Sequence, residues 1–217
     1  MSAELLALVD HTALKPETSA ADVDKLCAEA IGWGVAAVCV NGLWVARASE
    51  ATSSSTVDVC SVIGFPLGTM SPTSVAAEAV HATAAGAVEI DMVISLGPLM
   101  AGDDATVASS IAAVRAATDG MVLKVILESA ALDDEQLRRA CAISVGEGAD
   151  FVKTSTGFHP KGGATVHAVQ LIRDTVGSDI GVKASGGIRT LADAEAMVAA
   201  GANRLGMSST AALALAN

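Results

Sequence analysis

Tyrosine is absent from this chain of 217 residues, and aromatic residues as a whole reach only 2%. The interior must therefore be built from aliphatic side chains, which suits helices packed tightly on a parallel sheet buried on both faces. Basic residues are scarce: 13 Lys and Arg stand against 24 Asp and Glu, for a net charge of −11. That argues against a nucleic-acid partner, whose footprint would be basic and clustered. It leaves room for a phosphorylated small molecule, because a nest of backbone N–H groups with one or two cations holds phosphate even in an acidic protein. Cysteine is sparse too. Cys27, Cys39, Cys60 and Cys141 form no CxxC pair, so neither a zinc knuckle nor a thioredoxin-type redox site is expected. They lie in apolar runs, the setting of free buried thiols in a reducing cytoplasm. The opening MSAELLALVD has no basic stretch and does not read as a signal peptide. No apolar run reaches the roughly 18 residues of a membrane span, so no membrane partner is expected.

What is plentiful is aliphatic side chain. Hydrophobic residues make up 52% of the chain, enough for a large core in one domain over residues 1–217. The sequence has a beat. A short apolar run is followed by a Gly/Pro/Ser/Thr/Asp loop, then by an Ala-rich helical stretch, then by another run. The runs that read as strands are Asp10–Thr12, Ala36–Asn41, Asp58–Gly64, Glu89–Ile94, Met121–Leu127, Phe151–Thr154, Gly181–Ser185 and Arg204–Ser208. They are short and mostly Val/Ile-rich, as strands buried on both faces should be. Ser19, the pair Pro72-Thr73, Asp133 and Thr190 precede helical stretches in the manner of N-terminal caps. Gly32, Gly86, Gly146 and Gly201 read as helix ends. An extra helix is expected over Ala3–Val9, before the first strand.

Strands alternating with helices imply a parallel sheet. An open doubly wound sheet would need a Gly-rich fingerprint after its first strand, and Asp10–Pro16 has none. Eight units in so short a chain, with phosphate-type glycines after the last two strands, favour a closed TIM (β/α)₈ barrel with an extra N-terminal helix.

Charges inside apolar strands then need a reason. Asp91 stands in EIDMVI, Lys124 in VLKVIL, Lys153 in DFVKTST and Lys183 in GVKASGG. A buried lysine is costly unless paired or neutral. One reading is a buried ion pair, such as a lysine with Asp91. Two lysines near the ends of neighbouring strands suggest more, since burial and mutual repulsion favour the neutral amine on one of them. Bringing a lysine from about 10.4 to about 7 takes roughly 4–5 kcal/mol of differential interaction. A neutral amine attacks carbonyls to give a Schiff base, whose iminium draws electrons from a breaking carbon–carbon bond. One of Lys153 and Lys183 is the expected nucleophile, and Asp91 is the candidate to relay protons, through water or through Lys183. Lys124 fits a structural or electrostatic role, paired with Asp91 or Glu128, and Lys161 reads as an exposed loop charge.

Three segments look like anion cradles: Thr154-Ser155-Thr156-Gly157, Ser185-Gly186-Gly187-Ile188-Arg189, and Gly206-Met207-Ser208-Ser209. Glycines permit close backbone approach, and loops after the last two strands are where such barrels commonly hold phosphate. Gly64–Gly68 (GFPLG) reads as a shaped loop over the substrate.

With these residues assembled, the chain resembles the deoxyribose-phosphate aldolase family nearly end to end, from DHTALKP to GMSST. The resemblance rests on AVCVN (37–41), IGFPLG (63–68), EIDMVI (89–94), KVILE (124–128), ADFVKTSTGF (149–158), VKASGGIRT (182–190) and RLGMSS (204–209). It implies reversible cleavage of 2-deoxy-D-ribose 5-phosphate to D-glyceraldehyde 3-phosphate and acetaldehyde, with no metal and no cofactor. It places the Schiff base on Lys153, the second lysine on Lys183 and the relay on Asp91. It further implies sugar contacts at Asp10, Thr12 and Cys39, and phosphate contacts at Gly157, Gly186, Gly187, Ser208 and Ser209; Thr156 is expected among the substrate-binding residues. The partners it implies are the sugar phosphate, acetaldehyde and further copies of the chain, as a homodimer or homotetramer. Some members use a tail ending in tyrosine for proton exchange. This chain has no tyrosine, which leaves that exchange to Asp91, Lys183 and water. Two rivals stay open at this point: another Schiff-base barrel acting on ketose phosphates, and a non-enzymatic sugar-phosphate-binding barrel whose Lys–Lys–Asp set is only an ion-pair network.

Overall fold

A computed structural model describes residues 2–215 of the chain; Met1, Ala216 and Asn217, at the ends of the expected domain, lie outside the described residues. Eight strands form a closed, all-parallel barrel in chain order. They are β1 (Val9–Ala13), β2 (Ala37–Asn41), β3 (Asp58–Ile63), β4 (Glu89–Val93), β5 (Val122–Ile126), β6 (Phe151–Lys153), β7 (Gly181–Ser185) and β8 (Arg204–Met207). The helices are α1 (Ser2–Leu6), α2 (Ala20–Trp33), α3 (Val45–Thr52), α4 (Pro72–Ala84), α5 (Leu96–Ala101), α6 (Asp104–Ala117), α7 (Asp134–Gly146), α8 (Val166–Val176), α9 (Leu191–Ala199) and α10 (Ala211–Ala214). This is the TIM barrel with its extra N-terminal helix. No helix among the described residues is long and apolar enough to cross a membrane.

Strand boundaries differ from the sequence reading by a residue or so. Ile94, Leu127 and Thr154 each keep one cross-strand bond, to Ile126, Lys153 and Lys183, but the ladder stops there as the chain turns into its loop. The N-terminal helix ends at Leu6 and Val9 already belongs to β1. Ser19, Asp133 and Thr190 cap α2, α7 and α9, each within a reciprocal capping box. For α4 the cap is Ser71, and Pro72 lies in the first turn, where a missing N–H is harmless. Helix α2 runs through Gly32 and stops at Gly34, at φ +66°.

Alternation along the strands divides the molecule into two interiors. Outward residues such as Val38, Val40, Ile90, Leu123, Val125, Val152, Val182 and Leu205 meet the helices in one large aliphatic core. Each such side chain, fully buried, contributes roughly 1.5–3 kcal/mol, and this layer holds the barrel closed. The inward set is different. A small apolar cluster of Leu14, Ala37, Cys39, Cys60 and Val62, with Phe65 against it, occupies one side. The rest of the lumen is charged, which makes the barrel interior the place to look for chemistry.

Candidate active site

Seven charged side chains point into the barrel: Asp10, Glu89, Asp91, Lys124, Lys153, Lys183 and Arg204. Asp91 is the hub. Its Oδ2 accepts from Lys153 Nζ at 2.8 Å and Lys183 Nζ at 2.7 Å, and its Oδ1 accepts from Lys124 Nζ at 2.9 Å and Cys60 Sγ at 3.1 Å. Lys124 also donates to Glu89 at 2.5 Å. Lys183 also donates to Asp10. Arg204 closes the network from the far end, reaching Asp10 at 3.0 Å and Glu89 at 2.6 Å. Strand register accounts for this assembly, since Asp91 pairs with Lys124, Lys153 with Lys183, and Lys183 with Arg204. Two inward glycines leave room for the long side chains. A Cβ on Gly206 would stand 3.3 Å from Lys183 Cε, and one on Gly181 would strike the Phe151 ring.

The electrostatics follow from who touches whom. Burial alone would raise the Asp91 carboxyl, but Lys124, Lys153 and Lys183 overcome it and hold it well below the usual carboxylate range. Asp10 is lowered in the same way, against burial, chiefly by Lys183 and then Lys124 and Arg204. Burial would lower both Lys183 and Lys124. Asp10 and Asp91 outweigh it for Lys183, and Asp91 with Cys60, Asp10 and Glu89 for Lys124, so both ammonium groups are held more firmly than in water. The sequence reading expected two mutually repelling lysines. The structure instead places one carboxylate oxygen between Lys153 and Lys183. Counting the whole network gives four cations against three carboxylates. Lys153 is the surplus cation in position as well as number, because Asp91 is its sole carboxylate partner among the described residues.

Lys153 is 3% exposed and opens onto a cavity of about 520 Å³ at the C-terminal ends of the strands. The three expected cradles converge on this cavity, through Thr156 and Gly157, Ser185–Arg189, and Gly206–Ser209. Thr12 also lines it. The backbone N–H groups of Gly186, Gly187, Ser208 and Ser209 donate to no acceptor among the described residues, so four donors remain for an anion. Cys39, Asp10 and Asp91 are fully buried and do not line the cavity; they form the layer beneath Lys153. Cys39 is the register partner of Cys60, and the neighbouring Cys60 thiol, against burial and with help from Lys183, holds its thiol below the usual range.

Some expectations need correction. Lys124 pairs with Asp91 but not with Glu128. Glu128, at φ +56°, accepts instead from Thr156 Oγ1 at 2.5 Å and bends the strand-six loop towards the cavity. Residues 64–68 do not line the cavity; Phe65 reaches its rim only by edge-on contact with Phe158, at 5.2 Å between centroids. Arg204 and Glu89 went unread as network members. The signal available was their position, since each is a charge on an inward strand position. Two trios of ligand-type groups, Cys39/Cys60/Asp91 and Asp10/Cys60/Glu89, lie close enough to hold a metal. Both are already threaded by the Lys124 ammonium, which would repel a second cation.

A family profile described as DeoC/LacD family aldolase matches residues 5–212. Deoxyribose-phosphate aldolase 1 of Bacillus licheniformis is 52% identical over 209 residues, covering 96% of this chain and 93% of that one. The deoxyribose-phosphate aldolase of Mycobacterium tuberculosis is 56% identical over 215 residues, covering 97% and 95%. The solved deoxyribose phosphate aldolase of Aeropyrum pernix, described as a unique tetramer, superposes with a TM-score of 0.91 at 34% identity, covering 98% and 90%. The chain belongs to the DeoC/LacD family of aldolases, and it is a lyase.

Proposed function

We propose that this aldolase cleaves 2-deoxy-D-ribose 5-phosphate reversibly to D-glyceraldehyde 3-phosphate and acetaldehyde through a Schiff base on Lys153. The observation that carries the reading is the position of Lys153. It is the surplus cation of a buried ion network, and it stands at the floor of the cavity that the three cradles line. Lys153 is the cation left over when Lys124, Lys183 and Arg204 are matched against Asp10, Glu89 and Asp91, and it is the one that opens onto the cavity, where a nucleophile must stand.

The chemistry is then assigned group by group. The free amine adds to the C1 aldehyde of the open-chain sugar, and loss of water gives the iminium. The C3 hydroxyl loses its proton, the C2–C3 bond breaks, and its electron pair passes into the iminium to give an enamine. Glyceraldehyde 3-phosphate departs. The enamine is protonated at C2, and hydrolysis returns acetaldehyde and the free lysine. Asp91 and Lys183 serve as the relay for the two proton movements through water, supported by their direct hydrogen bond and by the Asp91 bond to Lys153. The free amides of Gly186, Gly187, Ser208 and Ser209, together with Gly157, receive the phosphate, while Thr156 lines the cavity with its amide and hydroxyl both given to Glu128. Thr12 lies on the cavity wall for the sugar, while Asp10 and Cys39 act from the layer below.

The strands run from Val9 to Met207, which supports one domain over the whole chain. The four buried free thiols support a reducing cytoplasm. The tetrameric Aeropyrum relative supports a homodimer or homotetramer here. The test is borohydride trapping with acetaldehyde, followed by peptide mapping. One adduct is expected, on the peptide containing Lys153. No adduct would sink the covalent mechanism, and an adduct on Lys183 would invert the two lysine roles.

A further inference from the structure

In the DHTALKP segment the chemistry above leaves His11 without a role. His11 alternates with Asp10 and Thr12 on β1, so it points away from the lumen, and it is buried. Its Nε2 lies 3.2 Å from Glu29 Oε2 on α2, and its Nδ1 lies 2.9 Å from Thr210 Oγ1. The ring packs at a tilt on Trp33, with centroids 5.2 Å apart. Thr210 is fully buried, and its Oγ1 also stands 3.3 Å from the Met207 carbonyl oxygen. Met207 is the register partner of His11 across β1 and β8. Between Met207 and Thr210 stand Ser208 and Ser209, which line the cavity and have free amides. A closed circuit therefore runs from α2 through His11 and Thr210 to both ends of the turn that carries one anion cradle.

Partner chemistry fixes the protons. The Glu29 carboxylate can only accept, so the Nε2 proton goes to it. Burial, outweighing Glu29, holds His11 below the usual histidine range and therefore neutral. Nδ1 is then a bare acceptor, and the Thr210 hydroxyl donates to it. The histidine thus sits in one tautomer by virtue of the carboxylate behind it, and Thr210 in one rotamer by virtue of the histidine.

We propose that His11 and Thr210 are positioning residues for the substrate phosphate, pinning the Met207–Thr210 turn so that the Ser208 and Ser209 amides face the anion. The inference rests on the phosphate-cradle reading above. A merely structural role would weaken all substrates alike, whereas a positioning role on the cradle weakens only those that carry phosphate.

The test compares wild type, Thr210→Val and Thr210→Ser, using 2-deoxyribose 5-phosphate, unphosphorylated 2-deoxyribose, and inorganic phosphate as a competitive inhibitor. Valine keeps the shape of threonine and removes the hydroxyl; serine keeps the hydroxyl. Thr210→Val is expected to raise KM for the sugar phosphate and Ki for phosphate about tenfold, the scale of one lost hydrogen bond. Its kcat should stay within about threefold, and kcat/KM for unphosphorylated deoxyribose should hold. Thr210→Ser should restore KM and Ki to within about twofold of wild type. Equal losses on both sugars, or no rise in KM and Ki, would overturn the inference while leaving the cradle intact. A wild type that neither favours the phosphorylated sugar nor is inhibited by phosphate would overturn the cradle reading and the inference together. If Thr210→Val fails to fold, His11→Asn, which keeps an acceptor near the Nδ1 position, carries the test. His11→Leu, which removes that acceptor, should raise the phosphate Ki about tenfold while His11→Asn holds it within about threefold of wild type; an unchanged Ki in His11→Leu, or a tenfold rise in His11→Asn, would overturn the circuit.

Discussion

Replacing Asp91 by Asn tests the hub most directly. The carboxylate accepts from three ammonium groups and the Cys60 thiol. An amide keeps one acceptor oxygen but presents two N–H donors to neighbours that are themselves donors. Four cations would then face only Asp10 and Glu89. Breaking a buried ion pair by removing one partner costs about 3–5 kcal/mol. At about 2–4 °C per kcal/mol for a chain of this size, Tm should fall by roughly 6–20 °C. The sign of the pH dependence follows from the shift. Folding lowers the Asp91 carboxyl, so its contribution is fully present above the unfolded value near 3.9 and is lost as pH falls through the folded value. The Tm gap between wild type and variant should be widest near neutrality and close below about pH 4. Turnover should drop about 10²–10⁴-fold, the span of a positioned acid–base group, while borohydride trapping on Lys153 persists at a slower rate. Scanning calorimetry against pH gives the first quantity, and acetaldehyde release coupled to NADH oxidation gives the second. Near-wild-type turnover in a folded variant would refute the relay. A Tm gap that widened on acidification would refute the electrostatic account.

Three further outcomes follow from the same geometry. Gly163→Ala would place a Cβ 2.2 Å from the Gly186 carbonyl oxygen, so the strand-six loop must lift off the strand-seven cradle; KM for the sugar phosphate should rise at least tenfold, read from initial rates, with a smaller change in kcat. Gly206→Ala would bring a Cβ to 2.8 Å from Ser185 Cβ and 3.3 Å from Lys183 Cε; kcat should fall as Lys183 shifts from Asp91, measured beside an unchanged far-UV spectrum. Lys183 and Lys124 are both raised by folding, so their contribution is fully present below the unfolded value near 10.4 and lost as pH rises through the folded values. Tm should therefore begin to fall above about pH 10.4 in a pH series, with a shallower slope in Lys183→Met.

The barrel was legible because its signal is repeated. Val38, Val40, Val59, Ile90, Val125, Val152 and Val182 recur as short β-branched runs between caps and glycines, and closure is then the economical solution for eight such units. Boundaries were less legible, because a strand ends where its neighbour does. Ile94, Leu127 and Thr154 keep single bonds past the ladder, a property of the pair rather than of either sequence. Helix starts set by one side chain could be read at Ser19 and Asp133. At α4 the sequence reading fell on Pro72-Thr73, whereas the cap is Ser71, one residue earlier, whose hydroxyl accepts from the Ser74 amide.

The site divides along the same line. Lys153, Lys183 and Asp91 stood out as isolated charges in apolar runs, since a lone charge in such a run demands a partner. Arg204 and Glu89 did not stand out, because each begins its strand where a loop charge would be unremarkable. Yet they decide the balance. Without Arg204, three cations would meet three carboxylates and Lys153 would no longer be surplus; without Glu89, Lys124 would lean wholly on Asp91 and Asp10. What makes one lysine the surplus cation is therefore a count over six strands and not a feature of the strand that bears it. A single-strand motif can propose the nucleophile, but the surplus of positive charge around it comes from the closure of the barrel, which brings Arg204 of the last strand onto Asp10 of the first.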